Sequence, residues 1–142
     1  MGSNSSTVLF VEDQESLLRL YHRVLEEHGY TVLTATDAME ALEKCQKYVG
    51  PIHLLIADIF LPMAALSGNT SNQPILMNGI QLSRAVKTLR PNIRVLFISG
   101  YPEKDIESIG GLPPNTTFLP KPFSPDTFMK KVRNLVNGVG PY

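Results

Sequence analysis

Five short apolar runs alternate with segments of helical periodicity along this chain. In the first helical segment Leu17, Tyr21 and Val24 recur at intervals of three or four residues, which is the spacing of one helix face. Residues 52–57 are apolar apart from His53, as is typical of a strand that helices cover on both faces. Because strands separated by helices pair mostly in parallel through right-handed crossovers, the pattern predicts an α/β fold with a doubly wound, five-stranded parallel sheet.

The predicted elements have clear boundaries at glycine, proline and capping residues. Asp37 and Glu40, three residues apart, predict a capping box at the start of the second helix, and Ser124-Pro125 predicts the start of the last helix. The predicted strands are residues 7–11, 31–35, 52–57, 93–98 and 116–119, and the helices are 16–28, 37–48, 80–90, 103–109 and a last one from 125.

Composition limits the class of protein. With 142 residues, 43% of them apolar, the chain can build one sizeable core. Its 13 basic and 13 acidic residues balance, which argues against direct nucleic-acid binding. No apolar run is long enough for membrane insertion, and the single cysteine, Cys45, fits a reducing, cytoplasmic compartment. We expect residues 1–6 to be a polar leader or expression remnant, residues 7–138 to be the domain, and residues 139–142 to be a tail.

Polar residues follow four of the predicted strands. Glu12-Asp13 follows the first strand, Asp58 the third, Ser99 the fourth and Lys121 the fifth. The carboxyl ends of parallel strands meet at one edge of the sheet, where ligands bind. Three carboxylates gathered there repel one another unless a hard cation intervenes, and an oxygen-rich site suits Mg²⁺. A lysine and a hydroxyl beside a metal and a carboxylate predict phosphoryl transfer to that carboxylate.

Four motifs carry a resemblance to a known family. Residues 8–13 (Val-Leu-Phe-Val-Glu-Asp), 55–62 (Leu-Ile-Ala-Asp-Ile-Phe-Leu-Pro), 95–100 (Val-Leu-Phe-Ile-Ser-Gly) and 118–123 (Phe-Leu-Pro-Lys-Pro-Phe) occur in this order. Together they resemble the receiver domain of two-component response regulators, including receivers fused to hybrid histidine kinases. The resemblance extends from Thr7 to Asn137 and implies a flavodoxin-like (βα)5 fold with strand order 2-1-3-4-5.

The resemblance also implies roles for the acidic residues. Asp58 corresponds to the phosphoacceptor, and Mg²⁺ would be bound by Glu12, Asp13, Asp58 and the backbone carbonyl of Phe60. The phosphoryl group would come from a histidine kinase or a histidine phosphotransfer protein. The domain would then change its partner-binding surface, acting as a signalling domain rather than as an enzyme, with an output that the sequence does not identify.

The same resemblance assigns the remaining site residues. Ser99 would hydrogen-bond the phosphoryl group, Lys121 would hold one of its oxygens, and Phe118 would occupy the position of the switch aromatic. The peptide bond between Lys121 and Pro122 is expected to be cis. In receivers the residues two positions after the acceptor and after the switch hydroxyl flank the phosphoryl group. Here they are Phe60 and Tyr101, whose bulk predicts slow autodephosphorylation. The alternative is that both rings point away from the site, Tyr101 toward solvent and Phe60 against the inserted loop.

The chain departs from the family between the third strand and the third helix. Residues 63–76 place 14 residues between Pro62 and Met77, where one is usual. Their Ser, Gly, Asn and Thr content predicts a loop, either a surface excursion or a segment that covers the site or docks a partner. The start of the third helix is therefore not fixed by the sequence.

Simpler interpretations of each residue stay open at this point. The acidic pair could cap a helix, Asp58 and Ser99 could form turns, Lys121 could be a surface charge, and Phe118 could be a core residue. A haloacid-dehalogenase-type phosphohydrolase would need a second aspartate at position 60, which is phenylalanine. A pseudo-receiver would lack an acidic or lysine position, and none is lost. The sequence does not distinguish a stand-alone regulator from part of a hybrid kinase or larger regulator, and stimulus, cognate kinase and oligomeric state are open.

Overall fold

The computed structural model describes residues 6–61 and 78–138. In this part of the chain five parallel strands form one sheet in the order β2-β1-β3-β4-β5, with helices between consecutive strands. The predicted doubly wound, flavodoxin-like fold and its strand order are confirmed. Most of the predicted leader, the loop 63–76 and the tail 139–142 lie outside the described residues.

Every predicted element is present, with its ends within two residues of the expected positions. The prediction was poorest at the start of β3 and at the end of α4. The elements are β1 Thr7–Val11, α1 Glu15–Glu27, β2 Thr31–Ala35, α2 Ala38–Lys47, β3 Leu54–Asp58, α3 Gly79–Leu89, β4 Arg94–Ser99, α4 Glu103–Glu107, β5 Thr117–Pro120 and α5 Pro125–Val136.

The sheet has an apolar core on each of its faces. Side chains of successive strand residues point to opposite faces, so in β4 Val95 and Phe97 belong to one core and Leu96 and Ile98 to the other. Helices α2 and α3 cover the first core, and α1 and α5 cover the second. This double coverage explains why β3 is fully buried along its length.

Side-chain caps define the starts of α2 and α3. The Asp37 carboxylate accepts a hydrogen bond from the Glu40 N–H at 2.8 Å, but the Glu40 carboxylate returns to the N–H of Thr36 instead of that of Asp37. The predicted box at α2 is thus displaced by one residue. A complete capping box occurs at α3, where Asn78 and Gln81 exchange bonds of 2.8 and 2.9 Å. That box fixes the start of α3 at Gly79.

The far end of α3 is attached to α2. The Arg90 guanidinium donates hydrogen bonds to the carbonyls of Cys45 at 3.0 Å and Tyr48 at 2.8 Å, and also to that of Gly50. These carbonyls lie at or beyond the last turn of α2, where no helical N–H is available to them. Leu89, which periodicity places on the buried face of α3, is 43% exposed because it lies in the last turn.

Candidate functional site

Three acidic residues converge at the carboxyl edge of the sheet. Asp58 is the last residue of β3, and Glu12 directly follows β1, the neighbouring strand. One carboxylate oxygen from each of Glu12, Asp13 and Asp58 can be chosen so that all lie within 4.8 Å of one another. Glu12 and Asp58 are buried and Asp13 is exposed. The cluster predicted from the strand ends is therefore present and opens to solvent on the Asp13 side.

Lys121 joins two of these carboxylates. Its Nζ atom lies 2.8 Å from Asp58 Oδ2 and 2.9 Å from Glu12 Oε1. The Lys121 N–H also donates to the carbonyl of Ser99 at 2.8 Å, and the expected cis bond to Pro122 is observed. With its side chain only 17% exposed, Lys121 is not a solvated surface charge.

The charges at this edge are unbalanced. Burial raises the pKa of Glu12, and the opposing effects of the Gln14 N–H and of Lys121 do not cancel it. Burial alone would lower the pKa of Lys121, but its contacts with Asp58 and Glu12 outweigh that effect and raise it. Lys121 is therefore an ammonium ion shared by two buried carboxylates, with Asp13 as a further carboxylate beside them. Another cation would relieve their repulsion.

The donor set fits Mg²⁺. Glu12 Oε1 is buried inside the acidic cluster, where it forms the 2.9 Å ion pair with the Lys121 ammonium group. One ammonium group cannot neutralise three clustered carboxylates, and a carboxylate oxygen can accept more than one contact, so the cluster favours a further cation. Hard oxygen donors that leave room for water are the surroundings Mg²⁺ prefers. Glu12, Asp13 and Asp58 are the residues that would hold it.

The helix-cap interpretation of the acidic pair accounts for part of the geometry. Glu12 Oε2 accepts a 2.9 Å hydrogen bond from the N–H of Gln14, the N-cap residue of α1. The Gln14 side chain itself makes no capping bond. One oxygen of Glu12 thus supports the start of α1, while the other faces the cluster.

Backbone N–H groups orient both Asp58 and Ser99. The Phe60 N–H donates to Asp58 Oδ1 at 2.9 Å, and the Tyr101 N–H donates to Ser99 Oγ at 3.0 Å. Each donor is two residues beyond its acceptor. The rings of Phe60 and Tyr101 contact each other, with centroids 4.6 Å apart and planes inclined by 55°. This contact links the segment after β3 to the segment after β4, and the predicted flanking of the phosphoryl group by both rings stays a prediction.

Phe118 lies on β5 directly opposite Phe97 of β4. It is half-buried and packs against the core shared with α2 and α3. Ser99, two residues beyond Phe97 on the same strand, is fully buried. The position of Phe118 is compatible both with the core role and with the switch role that the resemblance implies.

Gly79 is a site residue that the sequence interpretation missed. Its N–H donates to the carbonyl of Ile59 at 2.8 Å, and a Cβ at this position would lie 2.2 Å from the carbonyl oxygen of Asp58. Only glycine permits this approach of α3 to the end of β3. The sequence signal that could have identified it is the position of a glycine directly after Asn78. Residues 63–76 separate this glycine from the segment that contains Asp58.

An open α/β sheet with an acidic cluster and a shared lysine at its carboxyl edge is the arrangement that the resemblance to receiver domains implies. A family model described as "Response regulator receiver domain" matches residues 8–133. The chain therefore belongs to the response regulator receiver domain family. Receiver domains are signalling domains of two-component systems, and transfer of a phosphoryl group to an aspartate is their general function.

Individual relatives agree with this assignment. The chain is 34% identical to sensor kinase CckA of Brucella abortus over 124 residues, which are 86% of this chain and 12% of that protein. It is 27% identical to the response regulator receiver protein CpdR of the same organism over 93% of this chain and 92% of CpdR. It spans about half, 50%, of the transcriptional regulatory protein YbdJ of Bacillus subtilis, at 29% identity over 91% of this chain.

Solved structures show the same fold. The receiver domain of hybrid histidine kinase CckA has 30% identity and a TM-score of 0.71, covering 92% of this chain and 99% of that one. A response regulator receiver protein from Sinorhizobium medicae has 25% identity and a TM-score of 0.74, covering 94% of this chain and 96% of that one.

None of the described helices combines the length and apolar content needed to cross a membrane.

Proposed function

We propose that Asp58 accepts a phosphoryl group from a phosphohistidine of a histidine kinase or histidine phosphotransfer protein. In this step an Asp58 carboxylate oxygen forms a bond to phosphorus, the N–P bond of the donor breaks, and the imidazole keeps the electron pair. The observation that carries the proposal is Lys121 Nζ held 2.8 Å from Asp58 Oδ2 inside the acidic cluster. A cation in this position neutralises negative charge that accumulates during phosphoryl transfer.

Mg²⁺ is the proposed cofactor. We assign Glu12, Asp13, Asp58 and the backbone carbonyl of Phe60 as the groups that hold it. When bound, it would offset the charge on the phosphoryl oxygens. The chain's own residues contribute the nucleophile, the ammonium group of Lys121 and the fixed orientation of the Asp58 carboxylate.

Ser99 and Phe118 are the proposed switch residues. In the described geometry Ser99 Oγ accepts the Tyr101 N–H, so its own hydrogen is available for another acceptor. We propose that it turns toward a phosphoryl oxygen and that Phe118 moves into the space it leaves. This movement would change the surface formed by α4, β5 and α5, through which a downstream partner is regulated. We place this exchange in the cytoplasm.

Intact-mass spectrometry after incubation with acetyl phosphate and Mg²⁺ tests the proposal. Wild-type protein should gain one phosphoryl group that hydroxylamine removes, as expected of an acyl phosphate. Asp58→Asn should gain none. Asp126→Asn is the matched control, because Asp126 is an exposed aspartate in the first turn of α5. An equal adduct on wild type and Asp58→Asn, or no adduct on either, would refute the assignment.

A further inference from the structure

A cavity of about 390 Å³ lies at the amino edge of the sheet, opposite the edge that holds the acidic cluster. Strand register explains its position. Leu96 of β4 pairs with Thr117 of β5, so Arg94 and Asn115, each two residues earlier in the chain, lie at the same end of the sheet. Small-molecule sites in proteins have volumes of roughly 300–1,000 Å³. The residues that line this amino-edge cavity are Lys87, Pro91, Asn92, Ile93, Arg94 and Asn115.

The lining of the amino-edge cavity is cationic. Lys87 and Arg94 contribute two positive charges, and neither residues 59–102 nor residues 108–125 include an aspartate or a glutamate. The nearby Arg90 is engaged elsewhere, because its guanidinium donates hydrogen bonds to the carbonyls at the end of α2. A concave surface with two cations and no acidic side chain concentrates anions.

Polar side chains in the cavity are available for a ligand. Within the part of the chain that the structure describes, the side chains of Lys87, Asn92 and Asn115 make no hydrogen bond or ion pair. The Arg94 guanidinium extends toward the end of α5, where a Cβ on Gly138 would lie 3.4 Å from its Nη2 atom. Asn115 has a φ of 63°, a conformation that glycine adopts most readily, so the turn presents a carboxamide where glycine would present none.

We propose that the amino-edge cavity binds a small phosphorylated molecule whose phosphate group is held by Lys87 and Arg94. A phosphate monoester carries about −1.5 to −2 charges near pH 7, which the two cations match. The planar guanidinium of Arg94 can donate to two phosphate oxygens at once, and the Lys87 ammonium group can bind a third. The carboxamides of Asn92 and Asn115 supply further donors.

The organic part of the ligand follows from the size of the cavity and from its apolar lining. The volume is about 13 times the ~30 Å³ that one water molecule occupies in the liquid, which is more than a phosphate group fills. Pro91 and Ile93 supply apolar contacts for the remainder of the molecule. Binding at this edge does not require phosphorylation of Asp58, so the proposal stands or fails separately from the proposed function.

Titration of ¹⁵N-labelled protein with phenyl phosphate, followed by NMR in EDTA, tests the proposal. EDTA removes divalent ions from the acidic cluster, which could otherwise attract phosphate there. The side-chain amide signals of Asn92 and Asn115 should shift to saturation. Inorganic phosphate should shift the same signals with at least about threefold weaker affinity, and phenol should shift neither. No saturable shift of these signals, or equal affinity for phenyl phosphate and inorganic phosphate, would overturn the assignment.

Three variants separate a built site from general attraction of anions. Lys87→Gln should raise the Kd for phenyl phosphate about tenfold, and Asn115→Gly, which keeps the left-handed conformation, should raise it about threefold. Arg84→Gln is the matched control, because Arg84 is an exposed cation of α3 outside the cavity, and it should change the Kd less than twofold. Lys87 lies in the last turn of α3, where a cation also offsets the helix dipole. A lower Tm of Lys87→Gln with an unchanged Kd, or equal weakening by Arg84→Gln, would refute the site.

Discussion

Gly79 is the position at which one added methyl group should damage the site most. A Cβ there would lie 2.2 Å from the carbonyl oxygen of Asp58 and 2.9 Å from the Cα of Ile59, whereas ordinary contact begins at 3.4 Å. Both neighbours are backbone atoms and cannot rotate away. In Gly79→Ala, α3 must therefore move away from the end of β3 by about 1.2 Å. This movement also strains the hydrogen bond from the residue 79 N–H to the carbonyl of Ile59.

The expected loss of stability is about 1–3 kcal/mol, the usual cost of overpacking a close contact. For a chain of this size that corresponds to a fall in Tm of roughly 2–12 °C. Phosphorylation should suffer more than stability does, because the displaced carbonyl belongs to the nucleophile itself and a ~1 Å error can cost ~100-fold in rate. Urea denaturation and the initial rate of phosphorylation by acetyl phosphate measure the two effects separately.

Gly100→Ala is the matched control. Gly100 follows Ser99 at the same edge of the sheet, and a Cβ there would have no neighbour within 4 Å. This variant should keep the wild-type unfolding midpoint. Its phosphorylation rate should stay within about twofold of the wild-type rate. If Gly79→Ala also keeps both, the close approach of α3 to Asp58 does not constrain the site and the reasoning fails.

Four further outcomes are expected. Asp13→Ala should weaken Mg²⁺ binding and phosphorylation together, by about tenfold or more, and should reduce the increase in Tm that millimolar Mg²⁺ gives the wild type. Ser99→Ala should still be phosphorylated, but amide shifts of α4 should no longer respond to beryllofluoride, a phosphoryl mimic. Combined replacement of Phe60 by Asn and Tyr101 by Glu should speed autodephosphorylation several-fold, because water gains access to the phosphorus. Glu40→Gln should destabilise the fold by about 0.5 kcal/mol at pH 7, a small effect because the carboxylate is partly exposed. A backbone N–H bond and Lys44 hold the pKa of Glu40 below its usual 4.5, so this difference should shrink as pH falls below 4.5.

Each outcome has a result that contradicts it. The metal assignment is wrong if Mg²⁺ leaves the Tm of the wild type unchanged and the phosphoryl adduct still forms in the presence of EDTA. Equal α4 responses in wild type and Ser99→Ala would exclude the switch route. A dephosphorylation rate that stays within about twofold, or ~0.4 kcal/mol, shows that the rings do not exclude water. A Glu40 difference that is constant from pH 7 to pH 3 would mean that its carboxylate charge is not what stabilises α2.

Much of the fold was predictable because its determinants are local. Apolar runs set the strands, and the polar residues at their ends set the edge where Glu12, Asp58 and Lys121 meet. What the sequence could not supply depends on residues far apart in the chain. Arg90 binds carbonyls more than 40 residues away, and no periodicity records such a contact.

The convergence of the acidic residues and Lys121 was predictable, but the details of their contacts were not. Strand ends and family motifs predicted which residues converge. Only the structure shows that Glu12 has a split role, with one oxygen bonded to the Gln14 N–H and the other in the cluster. The same holds for the ring contact of Phe60 and Tyr101, since side-chain direction after a strand is not set by sequence pattern. The contact of Gly79 with Asp58 was missed because residues 63–76 separate the segment that ends at Pro62 from the segment that starts at Met77.

The hydrogen bond from the Gly79 N–H to the Ile59 carbonyl holds the two ends of the intervening segment next to each other. Residues 60–78 number 19, where the usual spacing would leave 6, and such lengthening costs only about 1 kcal/mol in closure entropy. The capping box at Asn78 anchors the return of the chain independently of what precedes it. Evolution can therefore vary this segment, and an engineer could graft an epitope or a reporter into it, while α3 still starts at the same residue against the nucleophile.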